Sequence, residues 1–298
     1  MKGILVVNKP INMTSHDVVA ILRRKLGIKR IGHTGTLDPM ATGVLPICIG
    51  NATRVSEYIM KQGKAYIAKM KFGKSTTTYD FTGETVESSD RVIFSKEEIE
   101  EKLEGFRGDI LQKPPMYSAI KIDGKKLYEM ARKGKTVDIP AREVKVYEIS
   151  IISLNDEELE LYINCSKGTY IRSIIHDLGI SLGSFAYMTA LERVQVGEFK
   201  IEDSTDIFKI RDMELADVKK LLKETDSCLY NLDSVYISLN FKEKLLSGQK
   251  IDISKIGYKY EERDFSLGKN SIKVYSGDDF LGIGSLNDKI LKMERVLY

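Results

Sequence analysis

Apolar runs and helical stripes alternate along the first third of the chain. Residues 4–7 form an uninterrupted apolar run, which predicts a buried strand. Thr14 and Asp17 stand three residues apart, which is the spacing of a capping box at the start of a helix. The apolar positions of this helix are Val18, Val19, Ile21, Leu22 and Leu26. Gly27 follows them directly and is predicted to end the helix.

The same alternation continues as far as residue 132. Residues 52–60 predict a second helix, and residues 65–72 alternate apolar and polar side chains as a half-buried strand does. Ser95 and Glu98 repeat the capping-box spacing and predict a third helix. Residues 125–132 begin with two lysines and end with an arginine, and they predict a short basic helix.

The middle of the chain predicts a hairpin followed by a helix. Residues 144–154 and 159–165 alternate apolar and polar positions around a polar turn, as two antiparallel strands do. Residues 170–182 predict a helix that carries Arg172 in its first turn. Because strands and helices follow each other without strict strand-helix-strand alternation, we predict an α+β fold with a mainly antiparallel central sheet flanked by helices.

The last part of the chain differs in pattern from the rest. Residues 232–298 contain short apolar runs separated by glycine-containing turns, which is typical of a small β barrel or sandwich. A boundary is expected near residues 226–234, after the lysine-rich stretch at residues 213–224. We therefore predict two domains, at residues 1–230 and 231–298.

Composition and the amino-terminal sequence indicate the general class of the protein and its expected location in the cell. The 298 residues are 42% hydrophobic and 30% charged, as in ordinary globular proteins, and their number favours two domains over one. The chain has no apolar run of about eighteen residues, the length needed to span a membrane. Its amino terminus meets polar residues too soon for a signal peptide. We therefore expect a cytoplasmic protein without a membrane partner.

Cysteine and histidine spacing argues against metal and cofactor sites. Cys48, Cys165 and Cys228 are widely separated, so they predict neither a disulfide framework nor a Cys-x-x-Cys metal site. The three histidines lack the spacing of zinc ligands. Gly32 and Gly35 do not complete a dinucleotide-binding motif, since a third glycine in register is missing. We expect no metal and no cofactor.

The net charge of +3 is too small to indicate a nucleic-acid partner, so the distribution of charge matters more. Two stretches are locally basic and contain few acids. They comprise Arg23, Arg24, Lys25, Lys29 and Arg30, and Lys121, Lys125, Lys126, Arg132, Lys133, Lys135 and Arg142. Such runs are often solvated helix faces. Because both flank glycine-rich loops, we predict a groove that contacts phosphates.

The strongest chemical signal lies at residues 32–45. This stretch sets one carboxylate, Asp38, among three glycines and directly before Pro39. Glycines allow a ligand to approach the backbone closely, and proline restrains the chain next to the acid. A carboxylate presented in this way can act as a nucleophile or a base. The alternative is an ordinary turn in which Asp38 only accepts backbone hydrogen bonds.

The string Gly-His-Thr-Gly-Thr-Leu-Asp-Pro at residues 32–39 resembles the signature of the TruB family of tRNA pseudouridine synthases. Residues 3–10 and 14–17 look like the family's opening strand and turn, and four further segments are similar to family elements, in the same order. They are Lys-Ala-Tyr at 64–66, Thr-Thr-Thr-Tyr-Asp-Phe-Thr-Gly at 76–83, Pro-Met-Tyr-Ser-Ala-Ile-Lys at 115–121 and Cys-Ser-Lys-Gly-Thr-Tyr-Ile-Arg-Ser at 165–173. The resemblance is dense over residues 3–197 and weaker beyond them.

This resemblance implies a fold and a reaction. The fold would be the pseudouridine synthase fold, followed by a C-terminal β-rich RNA-binding domain of the PUA type. The reaction would be the isomerisation of uridine 55 in the TΨC loop of tRNA, with the base flipped out of its stack. The reaction is redox-neutral and needs no cofactor. The partner would be the TΨC stem-loop of tRNA, bound by a monomer without a protein partner.

The resemblance also implies catalytic roles for three residues. Asp38 would be the catalytic carboxylate, and either attack on C1′ of the ribose or removal of a sugar proton remains open. Arg172 would pair with Asp38 and orient it. Tyr66 would stack on the flipped uracil and stand near C5, which must lose a proton. Taken alone, a tyrosine in an alternating strand is more often a core residue.

Five further residues are implied in substrate binding. His33 would occupy the space that the flipped nucleotide leaves, and Asp80 would hold the base edge or a neighbouring flipped residue. Leu191 would line the pocket, and Lys121 and Tyr170 would contact the substrate. From the residues alone, His33 could merely tolerate an unusual backbone angle, and Asp80 could be a turn residue.

Two functions from other classes stay open. The chain could be an RNA-binding or tRNA-folding protein in which Asp38 is structural. It could also be a hydrolase in which Asp38 is half of a carboxylate pair, as in glycosidases, with Asp80 as the partner. Product analysis distinguishes hydrolysis from isomerisation, since hydrolysis frees uracil and isomerisation conserves the mass of the RNA.

Overall fold

We describe the protein from a computed structural model. The structure describes residues 1–118, 120–122, 124–131, 133–134, 137–256, 258–261 and 271–298. For residues 121, 122, 126 and 261 it describes the backbone alone.

The strands and helices are named in chain order. The strands are β1 Gly3–Lys9, β2 Ile31–His33, β3 Thr42–Ile49, β4 Lys64–Phe72, β5 Lys74–Thr76, β6 Thr85–Ser88, β7 Gly108–Gln112, β8 Lys121–Ile122, β9 Lys125–Lys126, β10 Arg142–Leu154, β11 Glu158–Cys165, β12 Ala186–Val196, β13 Phe199–Lys200, β14 Thr205–Asp206, β15 Asp233–Ile237, β16 Ile251–Asp252, β17 Tyr258–Glu261, β18 Ser271–Ser276, β19 Asp279–Asn287 and β20 Ile290–Val296. The α-helices are α1 Ser15–Leu26, α2 Ser56–Met60, α3 Lys96–Leu103, α4 Leu127–Ala131, α5 Ile171–Ser181, α6 Ile207–Asp212, α7 Leu215–Lys220 and α8 Lys242–Leu246. Short 3₁₀ helices span Gly50–Val55, Glu104–Phe106, Ile201–Asp203, Thr225–Cys228, Leu239–Phe241 and Ile253–Lys255.

A ten-stranded sheet dominates the described part of the chain. Its strand order is β14-β1-β3-β12-β4-β11-β10-β7, with β2 paired to β3 and β13 paired to β12. Strand β1 runs parallel to β14, and β3 runs parallel to β12. The other described pairs of this sheet are antiparallel. The predicted α+β fold with a mainly antiparallel central sheet is therefore confirmed.

Local capping chemistry sets the ends of two helices as predicted. The Thr14 side chain accepts a hydrogen bond from the backbone N–H of Asp17, whose carboxylate accepts one from the N–H of Thr14. Ser95 and Glu98 form the same reciprocal pair at α3. Helix α1 ends at Gly27, which has a φ of 66°. Glycine adopts the left-handed conformation at little energetic cost because it has no Cβ, so Gly27 ends the helix at this position.

Two predicted helices differ from the observed elements. The first half of the helix predicted at residues 52–60 is a 3₁₀ helix, because the hydroxyls of Thr53 and Ser56 donate to carbonyls three residues earlier and favour the tighter turn. In the basic stretch, Lys125 and Lys126 form strand β9, which pairs with β8. The helix starts only at the buried Leu127. Residue 132 lies outside the described residues.

A second sheet has the order β16-β20-β19-β18-β15-β17 and lies at residues 233–296. It encloses a core of its own, which includes Val235, Leu245, Ile251, Val274, Leu281 and Leu291. A further apolar cluster joins it to the large sheet, where Ile283 and Leu297 pack in one cluster with Ile4 and Val6. The C-terminal part is thus β-rich, as predicted, while the division at residues 230 and 231 stays a prediction.

Candidate active site

The loop between β2 and β3 presents Asp38 on a restrained backbone. The N–H of Leu37 donates to the hydroxyl of Ser15 at 2.9 Å, and the carbonyl of Pro39 accepts from the N–H of Asn12 at 2.8 Å. The Asp38 side chain is 40% exposed. The carboxylate is therefore accessible although the chain on both sides of it is tied to neighbouring segments.

A buried arginine holds the same loop from the inside. The Arg193 guanidinium donates to the carbonyl of Val44 at 2.8 Å and to the carbonyl of Gly35 at 3.1 Å, with a longer contact of 3.5 Å to the carbonyl of Thr36. Arg193 is only 2% exposed. Five N–H donors in a rigid fork let one arginine bind several carbonyls at once. It therefore fastens both ends of the loop that carries Asp38.

Close packing of β3 against β12 explains one of the loop glycines. Gly43 pairs with Arg193 in parallel register and has a φ of 101°. A Cβ added at Gly43 would lie 2.3 Å from the carbonyl oxygen of Arg193. A side chain is thus excluded at this position, both by the backbone angle and by the approach of the neighbouring strand.

Arg172 lies in the first turn of α5 and pairs with Asp38. Its Nη2 is 2.9 Å from Oδ2 of Asp38, and its side chain is 6% exposed. The guanidinium also donates to the carbonyl of Thr78 at 3.0 Å and to that of Tyr117 at 2.9 Å. The predicted proximity of Arg172 and Asp38 is therefore present in the structure. A buried fork with fixed partners points one charge-assisted donor at an accessible carboxylate.

Asp80 lies on the other side of the Arg172 guanidinium. Its Oδ2 is 3.4 Å from Nη1 of Arg172, and Asp80 is 4% exposed. Its Oδ1 accepts hydrogen bonds from the hydroxyl of Thr78 at 2.7 Å and from the N–H and hydroxyl of Thr82. A role for Asp80 at the base edge stays a prediction. Its buried, fully bonded carboxylate is better suited to orienting Arg172.

Tyr66 is half-buried on β4, where it pairs across the sheet with Arg193 of β12. Burial raises the pKa of Tyr66 to about 12, and the Arg193 guanidinium opposes this shift. The phenol therefore carries its proton at neutral pH. The sheet order brings Tyr66 next to the same arginine that holds the Asp38 loop.

His33 lies on β2 and packs edge-on against His16, with 5.1 Å between the ring centroids. Burial, followed by the charges of His16 and Arg193, lowers the pKa of His33. Its Nδ1 is buried and has no hydrogen-bond partner among the described residues. A polar atom left unsatisfied in this way fits a ring that meets a ligand or a water molecule.

Leu191 is 9% exposed on β12 and borders a cavity of about 260 Å³. The cavity lies between the Asp38 loop and strands β4 and β12. Its lining includes Met40, Thr42, Ile67, Lys69, Thr189 and Leu191. Asp38, Tyr66 and Arg172 do not line this cavity, so the prediction that Leu191 lines the substrate pocket stays a prediction.

The two remaining predicted residues are placed differently. Tyr170 precedes α5, and both its backbone N–H and its carbonyl bond to the Gln112 amide at 2.7 and 2.9 Å. Burial is the main cause that raises the pKa of Tyr170. Lys121 belongs to strand β8, and its side chain lies outside the described residues. Substrate contacts by both residues stay predictions.

The predicted phosphate groove also stays a prediction. In the first basic stretch, Arg23 donates to the carbonyl of Ile31, Lys25 to that of Met213, and Arg30 to the side chains of Thr53 and Asn51. These cations are therefore partly engaged within the protein. In the second stretch, residues 132 and 135 lie outside the described residues. In the described part of the chain, no three His, Cys, Asp or Glu side chains converge to hold a metal ion.

Two buried cations of this site were missed by sequence reasoning. Lys9 is fully buried, and its ammonium donates to the carbonyls of Met13 at 2.7 Å and Pro10 at 2.9 Å. Arg193 lies two positions after the buried Leu191 on the same strand, so both point to one face of the sheet. A charge on the buried face of an alternating strand was the available signal in the second case.

Lys9 should make stability depend on pH. Burial is the main cause that lowers its pKa from 10.5 to about 8, so between these values the unfolded chain binds more protons than the folded protein. The contribution of Lys9 to the free energy of unfolding should therefore increase by up to about 3 kcal/mol as the pH rises from about 8 to about 10.5. Lys64 has a similarly lowered pKa of about 8, and burial shifts the pKa of Cys48 and Cys165 the opposite way, so urea unfolding should show the Lys9 contribution as the difference between wild type and Lys9→Met. Parallel pH dependence in both proteins would contradict this assignment.

Two family models match successive parts of the chain. Residues 23–171 match the model of the TruB family pseudouridylate synthase N-terminal domain. Residues 172–235 match the model of the tRNA pseudouridylate synthase B C-terminal domain. The first match contains Asp38, Tyr66 and Asp80, and the second begins at Arg172. No helix in the described ranges has both the length and the apolarity to cross a bilayer.

Curated relatives and solved structures agree with these models. The tRNA pseudouridine synthase B of Clostridium novyi is 43% identical over 298 residues, covering 100% of both chains. That of Staphylococcus aureus is 43% identical over 281 residues, covering 91% of this chain and 92% of the relative. The crystal structure of a Cbf5-Nop10-Gar1 complex matches with a TM-score of 0.76 at 24% identity, covering 99% of this chain and 85% of that chain. The structure of an H/ACA RNP bound to a substrate RNA containing 2′-deoxyuridine matches with a TM-score of 0.75 at 22% identity, with 99% and 85% coverage. The solved structures establish the fold, and the family models and full-length relatives establish that this chain belongs to the TruB family of pseudouridylate synthases.

Proposed function

We propose that this protein is an isomerase that converts uridine 55 in the TΨC loop of tRNA to pseudouridine. The observation that carries the proposal is the pair formed by Asp38 and Arg172, in which a buried guanidinium holds an accessible carboxylate at 2.9 Å. The names of the full-length relatives support tRNA as the substrate. We further propose that the protein works in the cytoplasm as a monomer.

Pseudouridine formation defines what the site must do. The C1′–N1 bond breaks, the uracil turns, and a C1′–C5 bond forms. In the same process C5 loses one proton and N1 gains one. Asp38 is the group proposed to act at the ribose, by attack on C1′ or by removal of a sugar proton, and Arg172 orients it.

The flipped base is proposed to bind next to the accessible Asp38 carboxylate, with Tyr66 and Leu191 beside it. Tyr66 and Leu191 share one face of the sheet with Arg193, which holds the Asp38 loop. A uridine must leave its stack before its C1′ can meet a carboxylate, and this costs a few kcal/mol. His33 is proposed to compensate by filling the vacated space, which would also give its unsatisfied Nδ1 a partner.

Tyr66 is proposed to take part in the proton balance near C5. With a pKa of about 12 it is a protonated phenol in the free protein, so it can donate before it can accept. A phenol that gives its proton to N1 of the released uracil and then takes the C5 proton would complete both transfers. The neighbouring Arg193 charge favours the transient phenolate.

The hydrolase alternative is less compatible with the geometry. It requires two carboxylates that flank the scissile bond, one of them able to exchange protons with substrate or water. Asp80 is instead buried, accepts bonds from Thr78 and Thr82, and contacts Arg172. Its Oδ2 contacts Nη1 of Arg172, whose Nη2 contacts Asp38.

The C-terminal sheet is the proposed RNA-binding PUA-type domain, at residues 231–298. Its separate core and six-stranded sheet support an independent unit. This domain is proposed to add affinity for tRNA outside the TΨC loop. Sedimentation of the full-length protein with tRNA would test the monomer, since a larger assembly would be heavier than one chain with one RNA.

The experiment that tests the proposed reaction measures tritium release from tRNA labelled at C5 of uridine. We expect release of one proton per tRNA, with no change of RNA mass and a single pseudouridine at position 55 by mass spectrometry. Free uracil with an abasic site would support the hydrolase instead. RNA binding without release or modification would support the binding protein.

Arg172→Lys should separate charge from geometry in this site. Lysine keeps the positive charge but has no planar fork, so it cannot serve Asp38 and the carbonyls of Thr78 and Tyr117 together. We expect kcat for tritium release to fall roughly a hundredfold, with little change in tRNA affinity by filter binding. Wild-type kcat in this variant would show that charge alone is sufficient.

A further inference from the structure

Helix α5 carries His176 on the same face as Arg172. Residues four apart lie one turn from each other on the same face of a helix, so His176 faces the same segment as Arg172. That segment, residues 75–80, ends in the carboxylate that contacts Arg172. Arg172 contacts Thr78 and Asp80 of this segment, and His176 contacts Ser75 and Tyr79.

His176 makes two contacts with this segment. Its ring is stacked on Tyr79, with 3.8 Å between centroids and 11° between planes. Its Nδ1 lies 3.2 Å from the hydroxyl oxygen of the buried Ser75. Both rings are half-buried. A flat contact combined with a hydrogen bond at the ring edge fixes both the position and the rotation of the imidazole.

The stack falls on a residue with a costly backbone conformation. Tyr79 has a φ of 61°, in the left-handed region that residues with a side chain adopt rarely. Its N–H donates to the carbonyl of Thr76 at 3.1 Å, and its own carbonyl accepts from the N–H of Met188 at 3.0 Å. Such a conformation persists only where surrounding contacts hold it, and the His176 ring supplies one of them.

The neighbours of Tyr79 are the groups that orient Arg172. Thr78 provides the carbonyl at 3.0 Å, and Asp80 provides the carboxylate at 3.4 Å. A change in the backbone at Tyr79 would move both groups together. Arg172 would then lose two of the contacts that direct its Nη2 toward Asp38.

We propose that His176 and Tyr79 form a positioning pair, which holds Thr78 and Asp80 against Arg172 and thereby fixes the Arg172 fork toward Asp38. This inference rests on the proposed function, because its effect is on the bond-changing step. The pair acts through Arg172 and does not contribute to tRNA binding. Its loss should therefore lower kcat and leave KM for tRNA unchanged.

The test compares His176→Ala with His176→Phe by steady-state tritium release from tRNA. His176→Ala removes the ring, and we expect kcat to fall roughly ten- to a hundredfold while KM stays within about threefold. His176→Phe keeps a flat ring against Tyr79 and should restore kcat to within about threefold of wild type. Ile180→Ala, an exposed position on the same helix, is the matched control and should keep wild-type constants.

A double variant shows whether the effect passes through Arg172. In the Arg172→Lys background the fork is already lost, so adding His176→Ala should cost much less than it does in wild type. Independent, multiplicative losses would overturn the proposed route. If His176→Ala does not fold, as judged by thermal unfolding, His176→Leu fills the volume without a flat ring and should show the same fall in kcat.

Other outcomes discriminate clearly. Wild-type kcat in both His176→Ala and His176→Leu would overturn the inference. So would a rise in KM with unchanged kcat, which would mean that the stack contacts RNA instead. A fall in kcat that phenylalanine does not restore would assign the effect to the Ser75 bond and would overturn the role of the stack. An inactive wild type would refute the proposed function itself, whereas an active wild type with an equally active variant refutes only this inference.

Discussion

Asp38→Asn is expected to abolish pseudouridine formation while leaving the fold intact. Asparagine has the same shape but cannot attack C1′ or accept a sugar proton effectively, so tritium release should fall by on the order of 10⁴-fold or more. Arg172 would keep its bonds to Thr78, Tyr117 and Asp80. Because the Asp80 carboxylate lies 3.4 Å from the buried Arg172 guanidinium, the loss of the Asp38 charge leaves no isolated cation in the core.

The control for this variant is Asp109→Asn. Asp109 also faces a cation, Lys145 at 3.7 Å, but this pair lies on the surface with the aspartate 58% exposed. Its activity should equal that of wild type, since exposed pairs contribute little. Gel-shift titration should show that Asp38→Asn still binds tRNA with nearly wild-type affinity. An Asp38→Asn rate within tenfold of wild type would remove Asp38 from the proposed chemistry.

Arg193→Met is expected to have the largest effect on stability. Methionine fills much of the same volume but leaves the carbonyls of Gly35 and Val44 without donors inside the protein. Each unsatisfied buried group costs about 1–3 kcal/mol, so the free energy of unfolding should fall by about 3–5 kcal/mol. The loosened loop should also lower kcat, because Asp38 would no longer be held in one position.

Urea unfolding measures the first effect, and Arg211→Met is the matched control. Arg211 is 53% exposed and pairs with its neighbour Asp212, so its replacement should change stability by less than about 0.5 kcal/mol. The free energy of unfolding of Arg193→Lys should lie between those of Arg193→Met and Arg211→Met, because one ammonium can reach only some of the carbonyls. An unfolding midpoint equal to that of wild type in Arg193→Met would show that the loop does not depend on this guanidinium.

Local elements of the fold were predicted where local chemistry decides them. Helix α1 begins at the Thr14 capping box and ends at the left-handed Gly27, as expected. The antiparallel pairing of β10 with β11 follows the alternation of apolar and polar residues. The prediction for residues 52–60 was wrong in its first half. The hydroxyls of Thr53 and Ser56 donate to backbone carbonyls and favour a 3₁₀ turn, although the apolar positions fit an α-helix.

The residues of the candidate site were predicted only in part, because local sequence does not determine contacts between distant segments. Asp38 and Arg172 were expected to pair on resemblance, and they lie 2.9 Å apart. Asp80 was expected at the base edge, which stays a prediction, and the structure places its buried carboxylate 3.4 Å from Arg172. Arg193 was not singled out, since alternation marks which face of a strand it occupies but not which carbonyls that face meets.

Residue order along the chain was enough to identify the family, the capped helices, the alternating strands and the loop glycines around one acid, because these depend on neighbours within a few positions. Order alone could not bring residues 38, 80, 172 and 193 together, since they are separated by tens of residues. Their meeting depends on strand order, in which β12 lies between β3 and β4. The burial of Arg193 and the stack of His176 on Tyr79 follow from that packing, because a side chain acquires partners only when distant strands and helices close around it.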